Sequence, residues 1–252
     1  MSGNLITRSR GLLRSLLIYY GIPRRTARLR SFYAQFVPRG GLAFDIGSHV
    51  GNRIRAWRAL GASIVAVEPH PDLLRILRLL YGRDEAVTIV AAAVAAAEGE
   101  ATLLVDHRNL TVTTLSPEWT REMAEDAGFR RTRWQPERTV PVTTLQALLA
   151  AYGVPDFVKI DVEGLEAEVL RGLDTALPCL SFEYLPAAPA RALACIERLE
   201  ALGEYRFNWS VGESHRLALT AWCTAAEVCG FVAHLAAGDG SGDIYARLQT
   251  RR

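Results

Sequence analysis

Lysine is nearly absent from this chain: Lys159 is the only lysine among its 29 basic residues, and the other 28 are arginines. Arginine at almost every basic position reflects genomic base composition rather than function, so the one retained lysine is of interest. The formal net charge is only +2, and half of the 252 residues are apolar. These values indicate a soluble globular protein with a sizeable core, and they give no sign of a nucleic-acid partner.

Cysteine is also scarce, and its spacing argues against the common metal motifs. The four cysteines form no C-x-x-C pair and have no histidine cluster nearby, which argues against a zinc site. We therefore predict no metal site, a cytoplasmic location and free thiols at Cys179, Cys195, Cys223 and Cys229.

Long hydrophobic runs are missing as well. A short apolar run at residues 15–20 lies between Arg14 and the Arg24–Arg25 pair, and it is too short to cross a bilayer. The run also lacks the small-residue cleavage site of a signal peptide. The sequence therefore predicts no transmembrane segment.

Acidic residues are absent from residues 1–36, which contain seven arginines. Apolar residues recur there at helical spacing, at Leu12, Leu13, Leu16, Leu17 and Tyr20. This pattern predicts a basic N-terminal extension of one or two amphipathic helices. Two interpretations stay open: a helical cap that packs on the main domain, or contact with an acidic membrane surface or an anionic substrate.

Short apolar strands alternate with helices over residues 37–252. Strands are predicted near residues 42–46, 63–68, 87–94, 156–161, 178–184, 204–209 and 242–248. Helices are predicted near residues 52–60, 70–81, 143–152, 164–171, 188–202 and 220–236. This alternation is typical of an α/β domain with a doubly wound, mainly parallel seven-stranded sheet.

Two further segments stand out from this alternation. Residues 99–105 are predicted to add an edge strand after the third strand. Residues 106–138 are polar, charged and irregular, and they predict an insertion. An insertion of this size is either a lid over a binding site or a decorated edge of the domain.

The most informative motif lies at residues 41–52, where a buried strand ends at Asp45 and two glycines, Gly47 and Gly51, precede a helix. Glycine lets the backbone approach a ligand, and the helix start offers unpaired N–H groups. A second strand ends at Glu68, 23 residues after Asp45, where a carboxylate can accept hydrogen bonds from both ribose hydroxyls. An acid in front of only two glycines suits a ligand with a ribose and a cationic amino-acid end. The motif therefore predicts S-adenosylmethionine.

A third strand-to-helix junction follows at residues 154–166, and with it the chain resembles the FkbM-type S-adenosylmethionine-dependent methyltransferases. The matching segments, in family order, are Phe44-Asp45-Ile46-Gly47-Ser48-His49-Val50-Gly51-Asn52, Val67-Glu68-Pro69-His70-Pro71, Val142-Thr143-Thr144-Leu145, Lys159-Ile160-Asp161-Val162-Glu163-Gly164 and Gly242-Asp243-Ile244-Tyr245-Ala246. The chain departs from the family at Ser48 and His49, where the family usually has Ala-Asn. The resemblance implies a Rossmann-like methyltransferase strand order with the last strand inserted antiparallel. It also implies a small acceptor such as a sugar, a polyketide or another secondary metabolite.

The predicted cofactor residues lie at the strand ends, which meet on one rim of such a sheet. Asp45 and the glycine turn are expected to hold the methionine end and the ribose, and Glu68 the ribose diol. Pro69 and the segment around Ala91 and Ala92 are expected to flank the adenine. The full predicted set is Asp45, Gly47, Ser48, His49, Gly51, Asn52, Glu68, Pro69, Ala91, Ala92 and Asp161.

Methyl transfer to a hydroxyl requires an aligned acceptor and a base that removes its proton. Asp161, at the end of the fourth strand, is the first candidate for this base, and Glu163, Glu183 and His215 are the reserves. Lys159 points to the same side of the strand as Asp161. It is predicted either to form a buried ion pair that orients Asp161 or to contact a ligand or substrate.

Taken together, the motifs predict a methyltransferase that modifies an oxygen of a small hydroxylated acceptor. Two alternatives stay open. The carboxylates at the strand ends argue against a cofactor-binding module without catalysis, which a product assay would reveal. The missing third glycine argues against a nicotinamide-dependent oxidoreductase, which a titration with both cofactors would reveal.

Overall fold

A seven-stranded sheet forms the centre of the computed structural model, which describes residues 11–17, 19–21, 25–236 and 238–249. The strands are β1 (Leu42–Ile46), β2 (Ser63–Val67), β3 (Val87–Val90), β4 (Ala93–Val94), β5 (Gly99–Val105), β6 (Gln135–Thr143), β7 (Phe157–Ile160), β8 (Cys179–Tyr184), β9 (Tyr205–Val211) and β10 (Gly242–Leu248). The central sheet has the order β3-β2-β1-β7-β8-β10-β9, and a smaller sheet has the order β4-β6-β5.

The helices that cover the sheet are α1 (Arg25–Tyr33), α2 (Asn52–Arg58), α3 (Pro71–Tyr81), α4 (Pro117–Glu125), α5 (Leu145–Tyr152), α6 (Glu166–Arg171), α7 (Pro189–Leu202) and α8 (Ala225–Ala233). Residues 11–17 and 19–20 are helical as well. Polar side chains begin four of the described helices, because His70, Ser116, Thr144 and Thr224 each accept a hydrogen bond from an N–H group of the first turn. In the part of the chain that the structure describes, no helix has the length and apolar character needed to cross a bilayer.

The directions of the strands confirm the predicted α/β architecture. Parallel pairing joins β3, β2, β1, β7 and β8 in that order. β10 lies between β8 and β9 and is antiparallel to both. Helices α5 to α8 pack on one face of the sheet, and α1 to α3 pack on the other. Because β10 is antiparallel, its first residues lie at the same edge as the last residues of β7 and β8.

The described part of the N-terminal extension packs on this core. Phe36 stacks on Phe157, with ring centroids 5.2 Å apart, and on Tyr245, with centroids 5.1 Å apart. The Tyr20 hydroxyl donates a hydrogen bond to the Val50 carbonyl at 2.8 Å, so the first helical segment reaches the turn after β1. These contacts favour the cap interpretation. Residues 1–10, 18 and 22–24 of the predicted extension lie outside the described residues, and the predicted domain division after residue 36 stays a prediction.

The smaller sheet differs from the sequence-based expectations. The single strand predicted at residues 87–94 is wrong, because β3 belongs to the central sheet and β4 to the smaller one. The strand at residues 99–105 is present, but it pairs with β6 instead of forming an edge of the central sheet. The sequence pattern predicts neither α4, which lies within the insertion, nor β6, which begins in the insertion and ends at Thr143. β6 has a single buried residue, Val140, so its apolar pattern is too weak to reveal a strand.

We predict that replacing Phe36 by alanine lowers the free energy of unfolding by about 3–5 kcal/mol, because the lost aromatic ring leaves a cavity in the core. Urea unfolding followed by circular dichroism measures this change. Leu79→Ala is the control, because the Leu79 side chain is 80% exposed and changes at such positions stay within about 0.5 kcal/mol. Equal effects of the two substitutions would contradict the packing of Phe36 on the sheet.

Candidate active site

The carboxyl ends of β1, β2, β7 and β8 surround a cavity of about 350 Å³, the edge at which open α/β sheets bind ligands. The predicted site residues that line it are Gly47, His49, Asn52, Glu68, Pro69, Ala92, Asp161, Glu163, Glu183 and His215. The predicted residues outside the lining are Asp45, Ser48, Gly51, Ala91 and Lys159. Ala91 is exposed, and nothing in the cavity supports its expected adenine contact. Residues from separate motifs therefore meet in one place.

The glycine turn after β1 brings the backbone against the end of β7. Gly47 has a φ of 81°, and a Cβ at this position would lie 1.9 Å from the main-chain oxygen of Asp161. The buried Ser48 hydroxyl donates a hydrogen bond to the Asp45 carbonyl at 2.7 Å. Only glycine fits at residue 47, and Ser48 closes the turn from inside.

His49, one of the two residues that depart from the family pattern, joins the turn to the N-terminal helical segment. Its ring packs edge-on against Tyr19 with centroids 5.3 Å apart, and its Nε2 lies 3.4 Å from the Ser15 hydroxyl. Burial lowers the pKa of His49 to about 4, so the imidazole is neutral at physiological pH. The uncharged ring of His49 therefore packs between the turn after β1 and the N-terminal helical segment.

Glu68 ties the same turn to the segment after β2. Its carboxylate accepts hydrogen bonds from the His49 N–H at 2.9 Å and the His70 N–H at 2.8 Å. Burial raises the pKa of Glu68 to about 8, and the two N–H groups oppose this rise. Glu68 is thus a structural link as well as a candidate ligand for a ribose.

Asp45 is a carboxylate buried without a matching donor. Its side chain is 0% exposed, and within the described residues neither carboxylate oxygen has a hydrogen-bond partner. Burial raises the pKa of Asp45 to about 6, although the positive charge of Arg53 opposes the rise. A buried carboxylate without a partner costs free energy. Asp45 is therefore suited to a ligand that brings a donor or a positive charge, and a cationic amino-acid end fits this requirement.

Lys159 lies beneath the cavity at the centre of an ionic network. Its side chain is 0% exposed, and its Nζ lies 2.8 Å from Asp243 Oδ1 and 3.4 Å from Asp161 Oδ2. Arg53 donates a second charged hydrogen bond to Asp161 at 2.9 Å. Burial disfavours ionisation of Asp161, but the positive charges of Lys159 and Arg53 outweigh it and lower the pKa of Asp161. The ion-pair interpretation of Lys159 matches these contacts, and its side chain does not reach the cavity.

Glu163 and Glu183 line the cavity and have no ion pair with any described residue. Burial raises the pKa of both carboxyl groups well above the usual value, and neighbouring carboxylates add to the rise. Single carboxylate oxygens of Asp161, Glu163 and Glu183 lie within 4.8 Å of one another. A divalent cation could contact all three, but Lys159 and Arg53 already neutralise Asp161. The predicted absence of a metal site stays a prediction.

The loop after β9 closes one side of the cavity. His215 has a φ of 48°, and its Nε2 lies 3.1 Å from Glu213 Oε2. Arg25 of α1 binds the same oxygen at 2.8 Å. Burial disfavours ionisation of Glu213, but the bond to His215 and the charges of Arg53 and Arg25 lower its pKa to about 2. His215 therefore faces a fixed carboxylate and anchors the loop.

The sequence motifs left out several residues of the cavity lining, among them Tyr19, Arg53, Glu213 and Asp243. Arg53 directly follows the glycine motif, and Asp243 lies within the last segment that resembles the family. Both residues could have been identified from the sequence as candidates for the site. Tyr19 and Glu213 carry no local signal, because only tertiary packing brings their segments to the cavity.

Comparison with solved structures found several weak similarities. Precorrin-6Y C5,15-methyltransferase from Geobacter metallireducens is 15% identical, with a TM-score of 0.45 over 89% of this chain and 87% of that chain. A SAM-dependent O-methyltransferase from Thermotoga maritima is 13% identical, with a TM-score of 0.42 over 92% and 67%. Fibrillarin from Aeropyrum pernix, solved with natively bound S-adenosyl-L-methionine, is 10% identical, with a TM-score of 0.41 over 84% and 68%. These scores lie below 0.5, and the similarities support no conclusion about function.

The sequence itself matches a family model. A search of proteins with curated functions gave no significant match. The model of the methyltransferase FkbM domain matches residues 45–186, which is more than half of the chain and includes the glycine turn, Glu68, Asp161 and Glu183. The chain therefore belongs to the FkbM methyltransferase family.

Proposed function

We propose that this protein transfers a methyl group from S-adenosylmethionine to an oxygen of a small hydroxylated acceptor, such as a sugar, a polyketide or another secondary metabolite. The observation that carries the proposal is the cavity in which the glycine turn and Glu68 face Glu163 and Glu183, two carboxyl groups without an ion pair among the described residues. Such a cavity has one side for a ribose-bearing cofactor and another for an acceptor that must lose a proton.

The residues suited to hold the cofactor are those of the glycine turn, Asp45 and Glu68. S-adenosylmethionine would supply an activated methyl group bound to a positively charged sulfur. Asp45 lies outside the cavity lining, and its carboxylate would pair with the amino group of the methionine end once the turn at Gly47 opens, because it lacks a partner among the described residues. Glu68 would accept the ribose hydroxyls with the lone pairs left free by its two backbone hydrogen bonds.

The proton of the acceptor is better received by Glu163 or Glu183 than by Asp161. A carboxylate held by two cations is a weak base, and Asp161 is held by Lys159 and Arg53. The two glutamates have no such partner among the described residues, and burial and neighbouring carboxylates raise their pKa values, so each carboxylate binds a proton more strongly than that of Asp161. We therefore propose Glu163 and Glu183 as the base, with Asp161 as the residue that fixes the end of β7.

We predict that the affinity for S-adenosylhomocysteine falls as the pH drops below about 6, because protonation of Asp45 removes the charge that holds the amino group. Asp45→Asn should weaken binding of S-adenosylhomocysteine about 10- to 100-fold at neutral pH, the value of a charge-assisted hydrogen bond. In this variant the affinity should no longer fall as the pH drops below about 6. Calorimetry from pH 5 to pH 9 measures both effects. Asp174→Asn, at an exposed position, is the control. If the affinity of Asp45→Asn fell at low pH as it does in the wild type, Asp45 would not belong to the site.

We predict that Glu68→Gln lowers both the thermal stability of the protein and its affinity for S-adenosylhomocysteine. The amide keeps one acceptor oxygen for the two N–H groups, so the link between the turn and the segment after β2 weakens. Loss of one acceptor oxygen for the ribose hydroxyls should also reduce the affinity for S-adenosylhomocysteine about 10- to 100-fold. Thermal melts with and without S-adenosylhomocysteine separate the two effects. Wild-type affinity combined with a lower melting temperature would leave Glu68 with a structural role alone.

We predict that Glu183→Gln lowers the turnover number about 10²- to 10⁴-fold, the usual effect of losing a positioned base, and leaves S-adenosylhomocysteine affinity unchanged. Asp161→Asn should reduce turnover less and thermal stability more, because it removes the carboxylate that pairs with Arg53 and one of the two that pair with Lys159. The assay measures release of S-adenosylhomocysteine with a panel of methyl glycosides and polyketide alcohols. Glu200→Gln, on the exposed side of α7, is the control. Wild-type turnover in Glu183→Gln would exclude it as the base.

The same assay tests the broader proposal. A wild-type protein that binds S-adenosylhomocysteine but releases none from S-adenosylmethionine with any acceptor would be a binding module and not an enzyme of this type.

A further inference from the structure

Glu163 has an unusual main-chain conformation beside the cavity. Its φ is 52°, in the left-handed region, and Gly164 follows with a φ of 93°. A residue other than glycine adopts this conformation at a cost in free energy, so it persists only where neighbouring groups hold it. The neighbours of Glu163 therefore decide where its carboxyl group points.

Thr114, from the insertion, supplies such a contact. Its side chain is 2% exposed, and its hydroxyl donates a hydrogen bond to the main-chain oxygen of Glu163 at 2.8 Å. The same hydroxyl oxygen accepts the Ser116 N–H at 3.0 Å, which directs the hydroxyl proton toward Glu163. Among the described residues, no other group donates a hydrogen bond to this carbonyl.

The insertion is itself fixed to the domain on both sides of this contact. Thr114 exchanges two backbone hydrogen bonds with Leu104 of β5, at 2.8 and 3.1 Å. Trp119 of α4 packs so closely on Gly164 that a Cβ there would lie 2.1 Å from the indole ring. Thr114 is therefore anchored well enough to hold the loop after β7.

The position of Glu163 needs this support for an electrostatic reason as well. Its carboxylate lies close to those of Asp161 and Glu183, with oxygens of all three within 4.8 Å. Like charges at such distances repel one another. A free loop would therefore relax by moving the Glu163 side chain away from Glu183.

We infer that Thr114 is a positioning residue, whose hydroxyl holds Glu163 in the left-handed conformation that keeps its carboxyl group beside Glu183 in the cavity. The inference rests on the proposed function, because this position affects catalysis only if the two glutamates accept the proton of the acceptor. It gives the insertion a role in the reaction beyond covering the cavity.

Thr114→Val tests the inference, because it removes the hydroxyl and keeps the size of the side chain. Turnover should fall about 10- to 100-fold, the effect of a small misplacement of a reacting group, while the affinity for S-adenosylhomocysteine stays unchanged. Thr114→Ser should restore turnover. Thr120→Val is the control, because its hydroxyl donates to the Pro117 carbonyl within the same insertion at an exposed position. Wild-type turnover in Thr114→Val would overturn the inference.

A double-mutant cycle separates positioning from a general loss of structure. In the Glu163→Gln background, Thr114→Val should cause little further loss of turnover, because both changes act through the same carboxyl group. A full, additive loss in the double variant would show that Thr114 acts elsewhere and would overturn the inference.

A crystal structure of Thr114→Val soaked with S-adenosylhomocysteine provides a test that needs no acceptor. We expect Glu163 to leave the left-handed region and its carboxyl group to turn away from Glu183. An unchanged Glu163 would overturn the inference even if the wild-type protein methylated none of the acceptors. Failure of the wild-type assay together with a displaced Glu163 would count against the proposed function alone.

Discussion

A fully buried lysine at the end of β7 is the constraint on which the rest of the site depends. An ammonium group removed from water is costly unless carboxylates pair with it. Lys159 has two such partners, Asp161 and Asp243. Asp243 reaches it because β10 is antiparallel and begins at the edge of the sheet where β7 ends. The antiparallel insertion of β10 therefore supplies the second carboxylate that pairs with Lys159 beneath the cavity.

This balance divides the carboxylates of the site into two groups. Asp161 shares the charges of Lys159 and Arg53, and its negative charge is stabilised. Glu163 and Glu183 lie a few ångströms away in the same cavity without such partners among the described residues, so burial raises their pKa values. Side chains of nearly identical chemistry thus acquire different properties from their surroundings, as in other enzymes that use two carboxyl groups for separate tasks.

The outer wall of the cavity comes from segments without a recognisable motif. Tyr19 of the N-terminal helical segment, Phe129 of the insertion and His215 of the loop after β9 all line it. Each segment is attached to the core by its own contacts, such as the bond of Arg25 to Glu213 and the packing of Trp119 on Gly164. Under the proposed function, these segments are the ones placed to contact the acceptor, because binding residues often lie on loops that a rigid scaffold positions.

The sequence alone determined most strands of the central sheet and the helices between them, the glycine turn and the acids at the strand ends. These features follow from short-range patterns: apolar runs, the spacing of Gly47 and Gly51, and the position of Glu68 after a strand. The sequence could not reveal that Glu68 binds two backbone N–H groups, that Asp243 shares Lys159 with Asp161, or that the insertion contains α4 and the start of β6. Tertiary structure decided these points, because the ionisation and orientation of a carboxyl group depend on burial and on partners far away in the chain.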